Sequence, residues 1–183
     1  MKLEGLIFVT GNKSKAEQFT QFIGHPIPHH KIDVDEIQSL DLDEVIHHKA
    51  KAAYVSLQKP VLVEDTSLVF DAFKRLPGPL IKWFLQELGN DGLCKLLGGY
   101  SRSAVAHTSW AFFNGQKILT FRNEKRGTIT DAPRGKAGFG WDPIFIPEGE
   151  TKTYAEMNEE EMERSSLRRP VIREIGEFLK GKI

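Results

Sequence analysis

The sequence predicts an α/β fold built on a mixed sheet with an antiparallel lobe. Three observations carry this reading. The N-terminal part alternates apolar runs with helical periodicity: "LIFV" leads into "NKSKAEQFTQFIG", and "LDEVIHHKAKAAYVSLQ" leads into "VLVEDTSL", the pattern of layered strands and helices. Further on, "SAVAHTSWAFFNGQKILTFRNEKRGTIT" alternates apolar and polar residues around Asn114-Gly115, a strong hairpin signal. No repeat, low-complexity segment or linker breaks the 183 residues, a length that suits one domain, or two lobes on a shared sheet.

In chain order, residues 3–9 read as a buried strand. A helix follows from Asn12, with Ala16, Phe19 and Ile23 on one face and Gly24 as its stop. Residues 27–34 read as a second strand. The next helix covers 42–58, with Val45, Ala52 and Val55 among its periodic apolar positions, and Pro60 closes it before a strand at 61–64. "LPGPLIKWFLQEL" is a turn feeding a helix with proline in its first turn. A shorter helix covers 90–97. After the hairpin, "GFGWDPIFIP" is a glycine-rich loop entering a strand. Helix returns at 158–164 and in the C-terminal segment, where Pro170 fits only a first turn.

Lys+Arg and Asp+Glu both total 25. A balanced charge argues against non-specific binding of nucleic acid or of an anionic membrane. No apolar stretch reaches bilayer length, and the N-terminus lacks a secretory signal pattern. The single cysteine, Cys94, excludes an intramolecular disulfide, fits a reducing compartment and reads as a core residue. The expected location is cytoplasmic.

The chemistry concentrates in a few segments. In "VLVEDTSL" (61–68) a strand running into a core meets two adjacent acids, Glu64 and Asp65. A buried carboxylate is costly unless it is paired or binds metal. On an extended chain neighbouring side chains face opposite ways, so one acid can face a cleft while a partner holds the other. Mg²⁺ suits such a place, because it takes one or two carboxylates plus substrate phosphates; Glu36 in "DVDEIQS" is a candidate second ligand. The alternative is a pair of solvated acids at a strand end.

"FVTGNKSK" (8–15) is a strand, a glycine turn and a helix start, where backbone N–H groups and the helix dipole favour anions. Thr10 and Asn12 add polar side chains, and Lys13 and Lys15 add charge. The alternative is a capped helix with exposed lysines. Lys49 and Lys82 are further cations, each also readable as a lysine with its head in water. His47 and His48 face different directions on a helix and read as surface residues. In "GFGWDP" Phe139 and Trp141 flank Gly140 and are followed by Asp142; aromatics there suit stacking on a base, with Asp142 accepting from a base N–H. A tight turn packed by two core aromatics is equally compatible. Together these segments describe a phosphate cradle, a carboxylate–Mg²⁺ centre, two lysines and an aromatic base clamp.

Taken in order, "FVTGNKSK", "KIDVDEIQ", "VLVEDTSL", "LPGPLIKWFL", "GFGWDPIFIP", "KTYAEM" and "SSLRR" resemble the inosine triphosphate pyrophosphatase family, the Ham1-like nucleoside triphosphate pyrophosphatases, over nearly the whole chain. The resemblance implies one domain over residues 1–183, a two-lobed α/β fold on a long central mixed sheet with the active site in the cleft between lobes, and a homodimer. It implies Mg²⁺-dependent hydrolysis of ITP, dITP or XTP to the nucleoside monophosphate and pyrophosphate, which cleanses the nucleotide pool. By position it implies that Thr10, Gly11, Asn12, Lys13, Ser14 and Lys15 form the phosphate loop. Glu36 and Asp65 match the metal ligands, and Asp65 also the base. Lys49, Thr66 and Lys82 match phosphate contacts, Phe139, Gly140, Trp141 and Asp142 the base loop, and Arg168 a base contact. Lys15, Lys49 and Asp65 are the expected catalytic set. Two positions depart from the family pattern: Met162 stands where the family has lysine, and Leu167 where it has histidine; Arg164 is a candidate substitute for the missing charge. Both departures concern the base, so the same chemistry on another base, or with relaxed choice, is the main alternative. A nucleotide-binding protein without turnover is the other.

Overall fold

The computed structural model describes residues 5–24, 26–32 and 37–181. Its elements are β1 (Ile7–Val9), α1 (Lys13–Ile23), β2 (His29–His30), α2 (Leu42–Leu57), β3 (Val61–Phe70), β4 (Pro77–Gly78), α3 (Ile81–Leu96), β5 (Ser103–Phe113), β6 (Ile118–Ile129), β7 (Phe145–Pro147), α4 (Glu159–Ser165) and α5 (Arg169–Leu179). The strands form one mixed sheet in the order β2-β1-β3-β5-β6-β7, with β4 paired to β3. β1 lies parallel to β2 and β3, with Ile7 opposite Val61. The β3–β4 and β6–β7 pairs are antiparallel. Among the described residues no helix is long and apolar enough to cross a membrane.

The chain forms two compact units. The first takes the residues up to Asp65, Thr108–Asn123 and those from Arg168 onward; the second takes Thr66–His107 and Glu124–Leu167. In the first unit β1 and the start of β3 are buried on both faces, which explains their uninterrupted apolar runs, whereas the edge strand β2 is exposed. Alternation sorts their side chains between two cores. Phe8, Leu62, Trp110 and Phe112 pack with Phe19 of α1 and Ile172, Ile175 and Phe178 of α5. Ile7, Val9, Val61, Val63 and Ala111 pack with Ile46, Ala50 and Ala53 of α2. In the second unit Leu68 and Phe70 of β3 share a core with Ile81, Leu93 and Cys94 of α3, and with Trp141, Phe145, Tyr154 and Leu167.

Local signals place the helix ends. Asn12 caps α1 by accepting from the Lys15 N–H, and Gly24 ends it in the left-handed region at φ 67°. Asp41 caps α2 by accepting from the Asp43 and Glu44 amides. Gln58, at φ 52°, closes α2 two residues before Pro60. The two helices expected on either side of residue 89 abut as one element broken at Gly89. Pro79 precedes the cap Leu80, so it stands outside the first helical turn expected for it; Pro77 pairs with β3 instead. Pro170 does sit in the first turn of α5. In the hairpin the Asn114 side chain accepts from the Gln116 and Lys117 amides. The strand expected at 27–34 is seen at His29–His30, and residues 33–36 lie outside the described ones.

The buried face of α2 differs from the expected one. Val45 is buried, but Ala52 is only half-buried and Val55 is 70% exposed; Ile46, Ala50 and Ala53 face the sheet instead. Small side chains let a helix lie close to a sheet, and alanine carries little weight in an apolar pattern. This assignment has a direct test. Ala53→Leu should overpack the core and cost roughly 1–3 kcal/mol, whereas Val55→Lys should change stability by less than about 0.5 kcal/mol, both read from urea unfolding. The reverse ranking would contradict the assignment.

Candidate functional site

The adjacent acids of β3 point to different surroundings. Glu64 is 4% exposed. Lys15 Nζ from α1 stands 2.6 Å from its Oε2, and Arg168 Nε, just before α5, stands 2.7 Å from its Oε1. Thr108 Oγ1 lies 3.5 Å from Oε1 and itself accepts from Trp110 Nε1 at 3.0 Å. Burial alone would raise the Glu64 pKa; the charges and hydrogen bonds of Lys15 and Arg168 overcome it and bring it down to about 2. The solvated-acid reading therefore fails for Glu64, which is a buried anion clamped between two cations.

Asp65 is more open, with its side chain about a quarter exposed. Lys49 Nζ, from α2, stands 3.6 Å from Asp65 Oδ2 and donates to the Glu64 carbonyl at 3.4 Å. Lys49 is thus turned inward rather than toward water. His47 and His48, expected on the surface, are half-buried. His47 Nε2 and Thr120 Oγ1 are 2.8 Å apart.

The 10–15 turn is stitched to itself. Thr10 Oγ1 accepts from the Asn12 N–H at 3.1 Å, and Asn12 Oδ1 accepts from the Lys15 N–H at 3.2 Å. Lys13 is exposed and lies 3.6 Å from Glu17 on the next turn. The two lysines of this segment thus differ: Lys13 faces solvent and Lys15 faces Glu64. Gly11 follows Thr10 in the exposed bend. Glu36 and the Ser14 side chain lie outside the described residues.

The second unit holds the remaining candidates. Thr66 follows Asp65 along β3 and is half-buried. Lys82, in the first turn of α3, holds its Nζ 5.3 Å from the Trp83 ring centre, and Trp83 is exposed. In the 138–142 loop Gly138 and Gly140 have φ of 74° and 63°. Asp142 is buried, and its Oδ2 accepts from the Phe139 N–H at 2.8 Å. A side chain at Gly138 would strike that carboxylate. Trp141 is 5% exposed and packs on Phe145 and Tyr154. The expected pair of stacking aromatics is therefore reduced: Trp141 belongs to the core, and Phe139 alone is partly exposed. Asp142 is a turn-forming group as well as a candidate acceptor. Leu167 is 2% exposed in the same core, and Met162 packs against it. Arg164 pairs with Glu150 at 3.2 Å. Cys94 is buried, as expected.

Glu64 was legible as an acid, but nothing in the sequence named Lys15 and Arg168 as its partners. Among the described residues no group of three or more His, Cys, Asp or Glu converges as a metal site. Both Glu64 oxygens lie against cations, and of the two acids Asp65 is the more exposed carboxylate. One such carboxylate is compatible with Mg²⁺, which keeps waters and binds through substrate phosphates.

The Ham1 family model matches residues 6–178. An inosine triphosphate pyrophosphatase of Yarrowia lipolytica is 43% identical over 97% of this chain and 96% of its own length. An inosine triphosphate pyrophosphatase of Batrachochytrium dendrobatidis is 40% identical over 98% of this chain and 96% of its own length. Among solved structures, a HAM1 protein from Coxiella burnetii aligns with a TM-score of 0.81 at 23% identity, covering 96% of this chain and 98% of that one, a likeness of fold.

The Glu64 clamp makes stability depend on pH. Its folded pKa, about 2, lies below the ordinary 4.5. The stabilisation is thus complete above the unfolded value and is lost as pH falls toward the folded one. The amount is about 3 kcal/mol. Glu64→Gln should lose this component of the acid-side slope between about pH 5 and pH 2. At neutral pH it should also be less stable by roughly 3–5 kcal/mol, since two cations are left without their anion. Urea unfolding across that pH range measures both. Parallel pH profiles for the two proteins would sink the clamp.

Proposed function

This chain belongs to the Ham1 family, and from that premise we propose that it is a nucleoside triphosphate pyrophosphatase of the nucleotide pool. It releases pyrophosphate and a nucleoside monophosphate from ITP, dITP or XTP. The observation that carries this reading is the meeting of Glu64 and Asp65 with Lys15, Lys49 and Arg168 in the first unit. Lys15, Lys49 and Arg168 gather beside the two acids, and such a cluster of cations suits a polyphosphate.

Each side chain has a role its chemistry allows. Asp65, with Glu36, would hold Mg²⁺. When bound, that ion supplies charge neutralisation on the phosphates and a more acidic water. Asp65 orients the attacking water and takes its proton. Lys49, 3.6 Å from Asp65, fixes the carboxylate and contacts phosphate. Lys15 serves both sides of its position, because an ammonium carries three donors: it holds Glu64 and reaches the phosphates with Thr10 to Ser14. Lys82 and Thr66 are further phosphate contacts. Arg168 gives Nε to Glu64, and its guanidinium carries five donors in all, enough also to serve a purine oxygen. Phe139 stacks on the base.

Base choice is looser than the family pattern implies. Leu167 is buried in the core of the second unit and Met162 packs against it, so neither offers the base a charge or a hydrogen bond. Ordinary purine triphosphates are then hydrolysed at a measurable fraction of the ITP rate. The family resemblance further supports a homodimer, which light scattering measures directly.

The test is pyrophosphate release over a panel of ITP, XTP, dITP and the four ordinary triphosphates. Activity should vanish with EDTA and return with Mg²⁺. Asp65→Asn should lower kcat by roughly two to four orders of magnitude in a protein whose unfolding curve is unchanged in cooperativity. Near-normal turnover by a folded Asp65→Asn protein would remove the assignment. Absence of turnover on every nucleotide, with binding retained, would leave a nucleotide-binding protein instead.

A further inference from the structure

We propose that Asn90 is a positioning residue for the base-recognition loop, an inference that rests on the pyrophosphatase reading for its catalytic consequence but not for its structural one. Asn90 Nδ2 donates to the Gly140 carbonyl at 2.9 Å. Its Oδ1 is buried and has no hydrogen-bond partner among the described residues. An orphaned buried acceptor costs free energy. The amide orientation is thus set by the bond to the loop and not by satisfaction of both ends.

The fold presents Asn90 by breaking a helix. Gly89 has φ 63° and ψ −179°, a region that is essentially restricted to glycine. The break divides α3 and starts its second segment at Asn90. A side chain at Gly89 would meet no atom within 4 Å, so the requirement is conformational and not steric. α3 therefore carries Lys82 before the break and the loop contact immediately after it, which ties the phosphate lysine and the base loop of the second unit to one element.

The C-terminal side of the loop is anchored: the Ala155 N–H donates to the Asp142 carbonyl at 3.2 Å, and Trp141 packs in the core. The loop's internal bonds join Phe139 and Asp142: the Phe139 N–H donates to Asp142 Oδ2, and the Asp142 N–H donates to the Phe139 carbonyl at 3.2 Å. These define the shape of the turn, and the Asn90 bond adds a hold at Gly140, next to Phe139. Gly140 lies between Phe139, the partly exposed ring, and Trp141, the buried one. Holding its carbonyl therefore fixes the backbone from which Phe139 projects.

Three variants test this. Asn90→Asp keeps the size and removes the N–H donor, Asn90→Ala removes the side chain, and Gly89→Ala disturbs the backbone that aims it. Hydrogen exchange of the 138–142 amides, read in the full protein, should accelerate by roughly three- to tenfold in all three. KM for ITP should rise by a similar factor, with kcat changing by less than about twofold. Asn90→Gln should recover part of both. Unchanged exchange in Asn90→Asp would overturn the proposal, as would faster exchange with unaltered KM. If no nucleotide is turned over, the pyrophosphatase reading has failed on its own. The exchange rates and the Kd for ITP then decide: slower loop exchange with tighter ITP binding in the parent than in Asn90→Asp supports the tie, and equal values overturn it.

Discussion

A single buried carboxylate organises the first unit. Desolvating Glu64 costs several kcal/mol if nothing compensates, and compensation requires cations held at hydrogen-bond distance. Lys15 comes from α1 and Arg168 from the approach to α5, 104 residues further along the chain than Glu64. Helix α1 must start where Asn12 caps it if Lys15 is to reach. Arg168 must emerge where Pro170 opens α5. The strands must keep register, since a shift of one residue along β3 would put Glu64 where Asp65 stands and turn every neighbour to the other face. The clamp thus depends on, and reports, correct assembly of β3, α1, β5 and α5 together.

The same clamp limits what the neighbouring groups can do. Glu64 has both oxygens against cations, so it is poorly suited to bind a metal or move a proton. Asp65, one residue on, points to the opposite face, is partly open and faces Lys49. Strand geometry alone separates their surroundings: one acid is buried between two cations and the other is partly open beside Lys49.

Much of this was readable before the fold was known, and the limits have physical causes. The strand at 61–64, the caps at Asn12 and Gly24 and the hairpin at Asn114 follow from local rules, and the structure carries them; of the strand expected at 3–9 it carries Ile7–Val9. The face of α2 was misread because Val55 outweighs Ala50 and Ala53 in hydrophobicity, although close helix–sheet packing favours the alanines. Trp141 resembled Phe139 in sequence, and only tertiary packing against Phe145 and Tyr154 separates a core ring from a partly exposed one. The partners of Glu64 were not legible at all: ion pairs between residues 49 or 104 positions apart leave no periodic trace.

These differences bear on specificity. Lys15, Lys49, Glu64 and Asp65 of the first unit lie on α1, α2 and β3, elements whose positions are fixed by two cores. The 138–142 loop is held by hydrogen bonds and by the core packing of Trp141, and in the same unit Leu167 is in the core with Met162 packed against it. A buried leucine contributes roughly 1.5–3 kcal/mol through its apolar area, whereas a buried histidine in that core would need a partner for each ring nitrogen. Position 167 thus serves packing where the family pattern would have it serve recognition. The change leaves the Glu64 clamp intact, because Arg168 reaches it through the next residue in the chain. Adjacent residues thus have different surroundings: Leu167 packs in the core of the second unit, and Arg168 pairs with the buried Glu64.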